Sequence, residues 1–134
     1  MQVNEVMTAP IITIACDEPL SRAVNIMANK KIGAIVILDY DSSPWSIITE
    51  SDIIRILSKH SNDENIDWLW KRPIHSFRLK ALHYINSGGS ISDAIQRMAA
   101  YRIRRLPVID DEELMGMVTE REILDKMASK SLRR

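Results

Sequence analysis

The 134-residue sequence predicts an α/β (α+β) fold that contains two copies of one small unit, each a small sheet with two helices. The first observation behind this prediction is an internal repeat, since Ala23 and Asp39 recur as Ala94 and Asp110, each 71 positions further along the chain. The second is that each copy alternates helical periodicity with short β-rich runs. Because so small a sheet cannot cover its own apolar face, we expect the two copies to pack as a pseudo-twofold pair.

The elements of the first copy are predicted in the order strand, helix, strand, strand, helix. An opening strand is expected at Ile11–Ile14, and the apolar spacing that follows predicts a helix containing Leu20–Met27. The β-rich runs Ala34–Leu38 and Ser46–Ile48 predict two further strands, and a second helix is expected to begin near Thr49.

The second copy repeats this order. Its opening strand, helix, two strands and second helix are expected at Leu82–Ile85, Ile91–Met98, Leu106–Ile109, Gly116–Val118 and Thr119 onward. The offset between the copies falls to 70 after the acidic turn, so the first copy carries one extra residue within Tyr40–Ser46, where a loop tolerates it. We therefore predict a first repeat at 1–60, a linker at 61–72, a second repeat at 73–128 and a basic tail at 129–134.

Composition limits the functions that the chain can have. Its 18 basic and 18 acidic side chains cancel, so no global charge attracts it to nucleic acid or an anionic membrane. The apolar run Ile32–Leu38 is far shorter than the roughly 18 residues that a membrane-spanning helix needs. The single cysteine, Cys16, argues against a disulfide framework and favours a reducing compartment, so we expect a cytoplasmic protein.

The ordered motifs resemble the CBS repeat, which runs from V-x-x-V-M-T through T-I/V-x-x-D and h-P-V-h-D to G-h-h-T-x-x-D. The matching segments are Val3–Thr8, Thr13–Asp17, Ile32–Asp39 and Ile47–Asp52 in the first copy, and Arg102–Asp110 and Gly116–Glu122 in the second. The sequence departs from this pattern at Ser46 (usually glycine), Phe77-Arg78 (usually Val-Met), Tyr84 (usually threonine) and Glu122 (usually aspartate). The resemblance implies a tandem pair, or Bateman module, like the nucleotide-sensing CBS domains of the AMP-activated kinase gamma subunit.

Two interpretations fit the Thr49–Asp52 motif and its counterpart Thr119–Glu122. From spacing alone, each is a capping box, in which a hydroxyl and a carboxylate satisfy free amides at a helix start. In similar modules, by contrast, the aspartate binds the ribose hydroxyls and the helix start supplies amide donors to an anion. Arg104 likewise has two interpretations: a solvated side chain at the edge of a strand, or a side chain that contacts a phosphate group.

The resemblance implies two ligand sites, each combining the acidic motif of one copy with strands of the other. The favoured site would contain Thr49, Asp52, Arg55, Ile85, Arg104, Arg105, Leu106 and Pro107. The weaker second site would contain Thr13, Ile14, Gly33, Ala34, Thr119 and Glu122. Backbone groups of Leu106 and Ile85 are expected to read the adenine edge.

The function that the resemblance implies is a regulatory ligand-sensing module for an adenosine-containing ligand: AMP, ADP, ATP or S-adenosylmethionine. Signalling would pass to an unknown effector protein or to a homodimer formed through the helices after Thr49 and Thr119. The alternatives are an assembly module without a ligand, or nucleic-acid binding through the arginine-bearing strand and the tail residues Lys130, Arg133 and Arg134.

Catalysis and metal binding are not expected from the sequence. No Gly-rich phosphate loop or nucleophile motif is present, and we predict neither an enzyme nor a catalytic cofactor. His60, His75 and His83 lack the cysteine or carboxylate spacing of a zinc site.

Overall fold

The structure of the chain, a computed structural model, describes residues 1–9 and 11–132, with side chains up to residue 129. Within these residues the chain contains five α-helices and five β-strands in two sheets, whereas the repeat predicted four helices and six strands. The chain divides into two compact units. We call Ile12–Leu82 the continuous unit, and Met1–Ile11 together with His83–Arg134 the split unit.

The continuous unit contains a three-stranded sheet with three helices. Its elements in chain order are β1 (Thr13–Ala15), α1 (Leu20–Lys30), β2 (Ala34–Leu38), β3 (Pro44–Thr49), α2 (Glu50–Ser58) and α3 (Asp67–Lys71). Strand β2 lies in the centre, parallel to β1 and antiparallel to β3. The predicted opening strand was placed too early: β1 ends at Ala15 because its residues must lie opposite Val36–Leu38 to pair with β2.

The core of the continuous unit follows the predicted apolar pattern. Ile35, Ile37 and Ile48 of the sheet are fully buried, together with Leu20 at the start of α1. Leu69 of α3 is also fully buried in this core, so α3 covers part of the first repeat. Helix α3 has only five residues, which is too short for periodicity to predict.

The split unit contains a two-stranded sheet with two helices: α4 (Ile91–Tyr101), β4 (Arg105–Asp110), β5 (Glu113–Thr119) and α5 (Glu120–Leu132). Arg133 and Arg134 of the predicted basic tail lie outside the described residues, as does the side chain of Lys130. Helices α1 and α4 end alike, on Lys31 and Arg102 with φ of 54° and 55°. Two residues 71 positions apart therefore share a left-handed C-cap, as true repeats should.

The predicted opening strand of the second copy, Leu82–Ile85, is wrong as a strand. Only Ile85 pairs with β4: its N–H donates to Pro107 O at 3.0 Å, and its carbonyl accepts from Ile109 N at 2.9 Å. Before Ile85, the Tyr84 carbonyl accepts from the Arg97 guanidinium instead of pairing with β4, and after it Asp110 accepts both the backbone N–H and the hydroxyl of Ser87, at 2.9 and 2.5 Å. These two bonds to Ser87 hold the pKa of Asp110 below its ordinary value.

The opening segment of each repeat packs on the other repeat. In the split unit, Val3 is fully buried in the second repeat's core, and Thr8 and Met117 exchange backbone bonds of 2.9 and 3.0 Å. In the continuous unit, Ile74 is fully buried in the first repeat's core, and its N–H donates to Glu18 O at 2.9 Å. The two units therefore cut across the two sequence repeats.

Candidate functional site

The first acidic motif forms the helix start of α2, as the capping interpretation predicted. Asp52 Oδ2 accepts the backbone N–H of Thr49 at 2.8 Å and the Thr49 hydroxyl at 3.0 Å. Oδ1 of the same carboxylate lies 2.9 Å from Arg55 Nη2. Asp52 is only 4% exposed, so all three contacts occur where water competes weakly.

Arg55 connects this motif to the opening segment of the second repeat. Its Nη2 also approaches the carbonyl of Arg78 at 3.4 Å, and its side chain remains 37% exposed. The motif is thus a charged cluster at the N-terminal end of α2, where the helix dipole favours negative charge.

A cavity of about 300 Å³ lies in the continuous unit between the start of β3 and this opening segment. It is lined by Trp45, Ser46 and all six residues from Phe77 to Leu82. The Ser46 hydroxyl donates to Lys80 O at 3.2 Å. Sequence reasoning missed Trp45, Arg78 and Lys80 as site candidates, although Ser46 and Phe77-Arg78 were noted as departures from the CBS pattern.

The corresponding place in the split unit is filled. Gly116 stands 70 positions after Ser46, and the backbone of Thr8 pairs with its neighbour Met117. A Cβ added at Gly116 would lie 2.7 Å from Met7 Sδ and 3.0 Å from Thr8 O. The opening segment therefore approaches β5 so closely that a side chain at this position has no room.

The second acidic motif is also a formed helix start. Glu122 Oε1 accepts from the backbone N–H and the hydroxyl of Thr119, both at 3.0 Å. Its Oε2 accepts a short hydrogen bond from the Thr8 hydroxyl. Both carboxylate oxygens of Glu122 are therefore already bonded within the split unit.

The remaining predicted residues of the continuous unit lie near Thr49. Ala34 pairs directly with Thr49 across β2 and β3, and Gly33 O accepts the N–H of Glu50 at 3.0 Å. Thr13 and the buried Ile14 belong to β1, paired with Val36 and Ile37.

In the split unit, Arg105 pairs with Thr119, and Leu106 and Pro107 of β4 are buried. The Arg104 side chain is 78% exposed and lies 4.0 Å from Glu120. The expectation that the backbone of Ile85 reads an adenine edge needs correction, because its N–H is bonded to Pro107 and its carbonyl to Ile109.

The predicted sites each take residues from both units. The structure brings together Thr49, Asp52 and Arg55 in one unit, and Thr119 and Glu122 with Arg105 in the other. Each predicted set as a whole remains a prediction. Among the described residues, no group of three or more His, Cys, Asp or Glu side chains is arranged to hold a metal ion. None of the helices in that part of the chain has the length and apolar character needed to cross a membrane.

The CBS domain family model matches residues 3–59 and 76–129, which together form most of the chain. The chain belongs to the CBS domain family. As a CBS pair, it resembles the CBS domain pair of protein MJ0100, solved in complex with 5′-methylthioadenosine and S-adenosyl-L-methionine. The TM-score is 0.82 at 22% identity, covering 97% of this chain and 98% of that one.

Two further relatives illustrate the contexts in which this pair occurs. Hypoxic Response Protein I, solved with two coordinated zinc ions, is 26% identical with a TM-score of 0.77, covering 93% of this chain and 98% of that chain. Inosine-5′-monophosphate dehydrogenase of Methanocaldococcus jannaschii is 26% identical over 126 residues, covering 93% of this chain and 23% of the enzyme. The chain spans 32%, 23% and 43% of the length of three curated relatives that it matches.

Proposed function

We propose that this CBS pair is a regulatory module that binds an adenosine-containing ligand (AMP, ADP, ATP or S-adenosylmethionine) in the cleft between its two repeats. The observation that carries the proposal is the Thr49, Asp52 and Arg55 cluster, which Arg55 connects to a cavity of about 300 Å³ lined by Arg78. That volume is at the lower end of the range for small-molecule sites. The MJ0100 pair, which binds adenosine compounds on the same fold, supports this class of ligand.

The chemistry of the cluster suits a nucleoside. The two oxygens of Asp52 can each accept one hydroxyl proton of a ribose, in place of the Thr49 hydroxyl that one of them now accepts. Arg55 offers planar donors that match a phosphate group. We assign the favoured site to Thr49, Asp52, Arg55, Ile85, Arg104, Arg105, Leu106 and Pro107, and a weaker one to Thr13, Ile14, Gly33, Ala34, Thr119 and Glu122.

Ligand binding would be read by an effector protein or by a second copy of this chain. Apolar side chains on two helices support a homodimer: Ile54 of α2 is 66% exposed, and Leu124 and Met127 of α5 are 56% and 39% exposed. Such large exposed apolar groups commonly mark protein contacts. We propose a regulatory rather than catalytic role, in the reducing cytoplasm that the free Cys16 favours.

An assembly module without a ligand is the second candidate, and a specific observation favours it. Both acidic residues are already satisfied within their own units, Asp52 by Thr49 and Arg55, and Glu122 by Thr119 and Thr8. A ligand would have to exchange at least one of these contacts, which lowers its net gain.

Isothermal titration with adenosine, AMP, ATP and S-adenosylmethionine tests the proposal, with native mass spectrometry of the purified protein to detect a co-purifying nucleotide. We expect Asp52→Asn to weaken binding by about 1–3 kcal/mol, since it removes a charged acceptor. Asp67→Asn is the matched control, an exposed first-turn aspartate of α3. Absence of heat with every compound at millimolar concentration, with dimerisation intact, would favour the assembly module.

A further inference from the structure

The cavity lies at a place where the two repeats differ. At the position where Gly116 lets the opening segment close onto β5, the first repeat has Ser46. A side chain at this position keeps the opposing backbone at a distance, and here the Ser46 hydroxyl bonds Lys80 O at 3.2 Å where the split unit has direct backbone pairing. The open space therefore occurs in the continuous unit at a place that the split unit fills.

The charge around the cavity has one sign. Arg78 and Lys80 are the charged residues of its lining and both are exposed, and Arg55 contacts the Arg78 carbonyl. Among the described residues, neither Arg78 nor Lys80 makes an ion pair, whereas the acidic Asp52 is paired with Arg55 at 2.9 Å. Two unneutralised cations therefore border this opening.

An aromatic surface accompanies this charge. Trp45 lines the cavity and is 39% exposed, so part of this residue is accessible to a ligand. Phe77 also lines the cavity, but the Arg72 guanidinium lies over its ring, 4.3 Å from the ring centre. Phe77 is therefore less accessible to a ligand than Trp45. A ligand that combines a flat ring with negative charge would satisfy both features, because bases stack on aromatic side chains and phosphates attract guanidinium and ammonium groups.

We infer that the cavity opened by Ser46 selects a phosphorylated adenosine over a sulfonium-bearing one, and that the chain binds one such ligand. This inference rests on the proposed function and narrows its ligand class. The cations of Arg78 and Lys80 attract a phosphate and repel the positively charged sulfur of S-adenosylmethionine. The filled space beside Gly116 accounts for the single ligand.

The test compares adenosine, AMP and S-adenosylmethionine on the full chain by isothermal titration. In the unmodified protein we expect AMP to bind about 10-fold or more tightly than adenosine, with one ligand per chain, and S-adenosylmethionine to bind more weakly than AMP. The variant Arg78→Gln/Lys80→Gln should reduce this preference for AMP, measured as the ratio of the AMP and adenosine affinities, by about 10-fold. The matched control Lys30→Gln/Lys71→Gln removes two exposed charges of the same unit that do not line the cavity.

A second measurement needs no variant. Added salt should weaken AMP binding while adenosine binding stays constant, because screening acts on the charged contact alone. Equal affinities for adenosine and AMP, a tighter S-adenosylmethionine complex, or two ligands per chain would overturn this inference while leaving the proposed function standing. If none of these three compounds binds, and neither ADP nor ATP binds, the proposed function fails as well.

Discussion

Replacing Gly116 by alanine tests the close contact between the opening segment and β5. In an unobstructed strand, this change stabilises a protein by roughly 0.5–1 kcal/mol, because glycine loses more backbone freedom on folding. Here the new methyl group would meet Met7 Sδ at 2.7 Å and the Thr8 carbonyl at 3.0 Å. The methionine side chain can move, but the Thr8 carbonyl is held by its bond from Met117 N.

Overpacking of this kind costs roughly 1–3 kcal/mol, so we expect a net loss of about 0.5–2 kcal/mol in the free energy of unfolding. Urea denaturation measures it, provided that the m-value is unchanged. Gly88→Ala is the matched control in the same unit, since its added methyl would meet nothing within 4 Å and should be neutral or slightly stabilising.

Adding Met7→Ala should recover part of the loss, because it removes the sulfur that approaches most closely. The double-mutant cycle should therefore give a favourable coupling of about 0.5 kcal/mol or more. A Gly116→Ala protein as stable as Gly88→Ala, with no coupling to Met7, would refute the reasoning.

Three other predictions follow from buried, charged and exposed residues in turn. Leu69→Ala should lower the free energy of unfolding by about 2–5 kcal/mol, because Leu69 is fully buried in the core of the continuous unit; a loss below 1 kcal/mol in urea melts would contradict that packing. The lowered pKa of Asp110 contributes stability that is present above its ordinary value of 3.8 and lost as the pH falls through the lowered value. The free energy of unfolding of Asp110→Asn should therefore fall less steeply as the pH is lowered, because asparagine has no carboxylate that can be protonated. The same dependence on pH in the variant and the unmodified protein would contradict this link between Asp110 and Ser87. Ile54→Glu and Leu124→Glu should weaken a homodimer about 10-fold or more, as measured by sedimentation, and an unchanged dimer would place the interface elsewhere.

Local patterns predicted much of the fold correctly. The strand Ala34–Leu38 has the predicted bounds, and Thr49 caps α2 as expected, since capping depends on residues three positions apart. The CBS family could also be predicted from the sequence, because its motifs recur in order over nearly the whole chain.

The features that sequence missed depend on contacts between distant segments. Whether Leu82–Ile85 forms a strand depends on a partner more than 20 positions away, and only Ile85 bonds to β4 while the Tyr84 carbonyl accepts from Arg97. The cavity lies where Ser46 faces a segment more than 30 positions away, bonding Lys80 O. Serine in place of glycine is a small change in sequence, and its structural effect becomes visible only when the backbone segment that faces it is known.

The exchange of opening segments has a consequence for synthesis on the ribosome. Residues 12–82 can assemble as soon as they emerge, because both their sheet and the Ile74 segment that buries into it belong to one stretch. Val3 and Thr8, by contrast, are translated before residues 12–82, yet Val3 bonds Gly89 and Thr8 bonds Met117 of β5, which are translated after them. The segment 1–9 therefore cannot pack until residues beyond 82 have been translated, and a division of the chain near residue 60 would deprive both halves of a native partner.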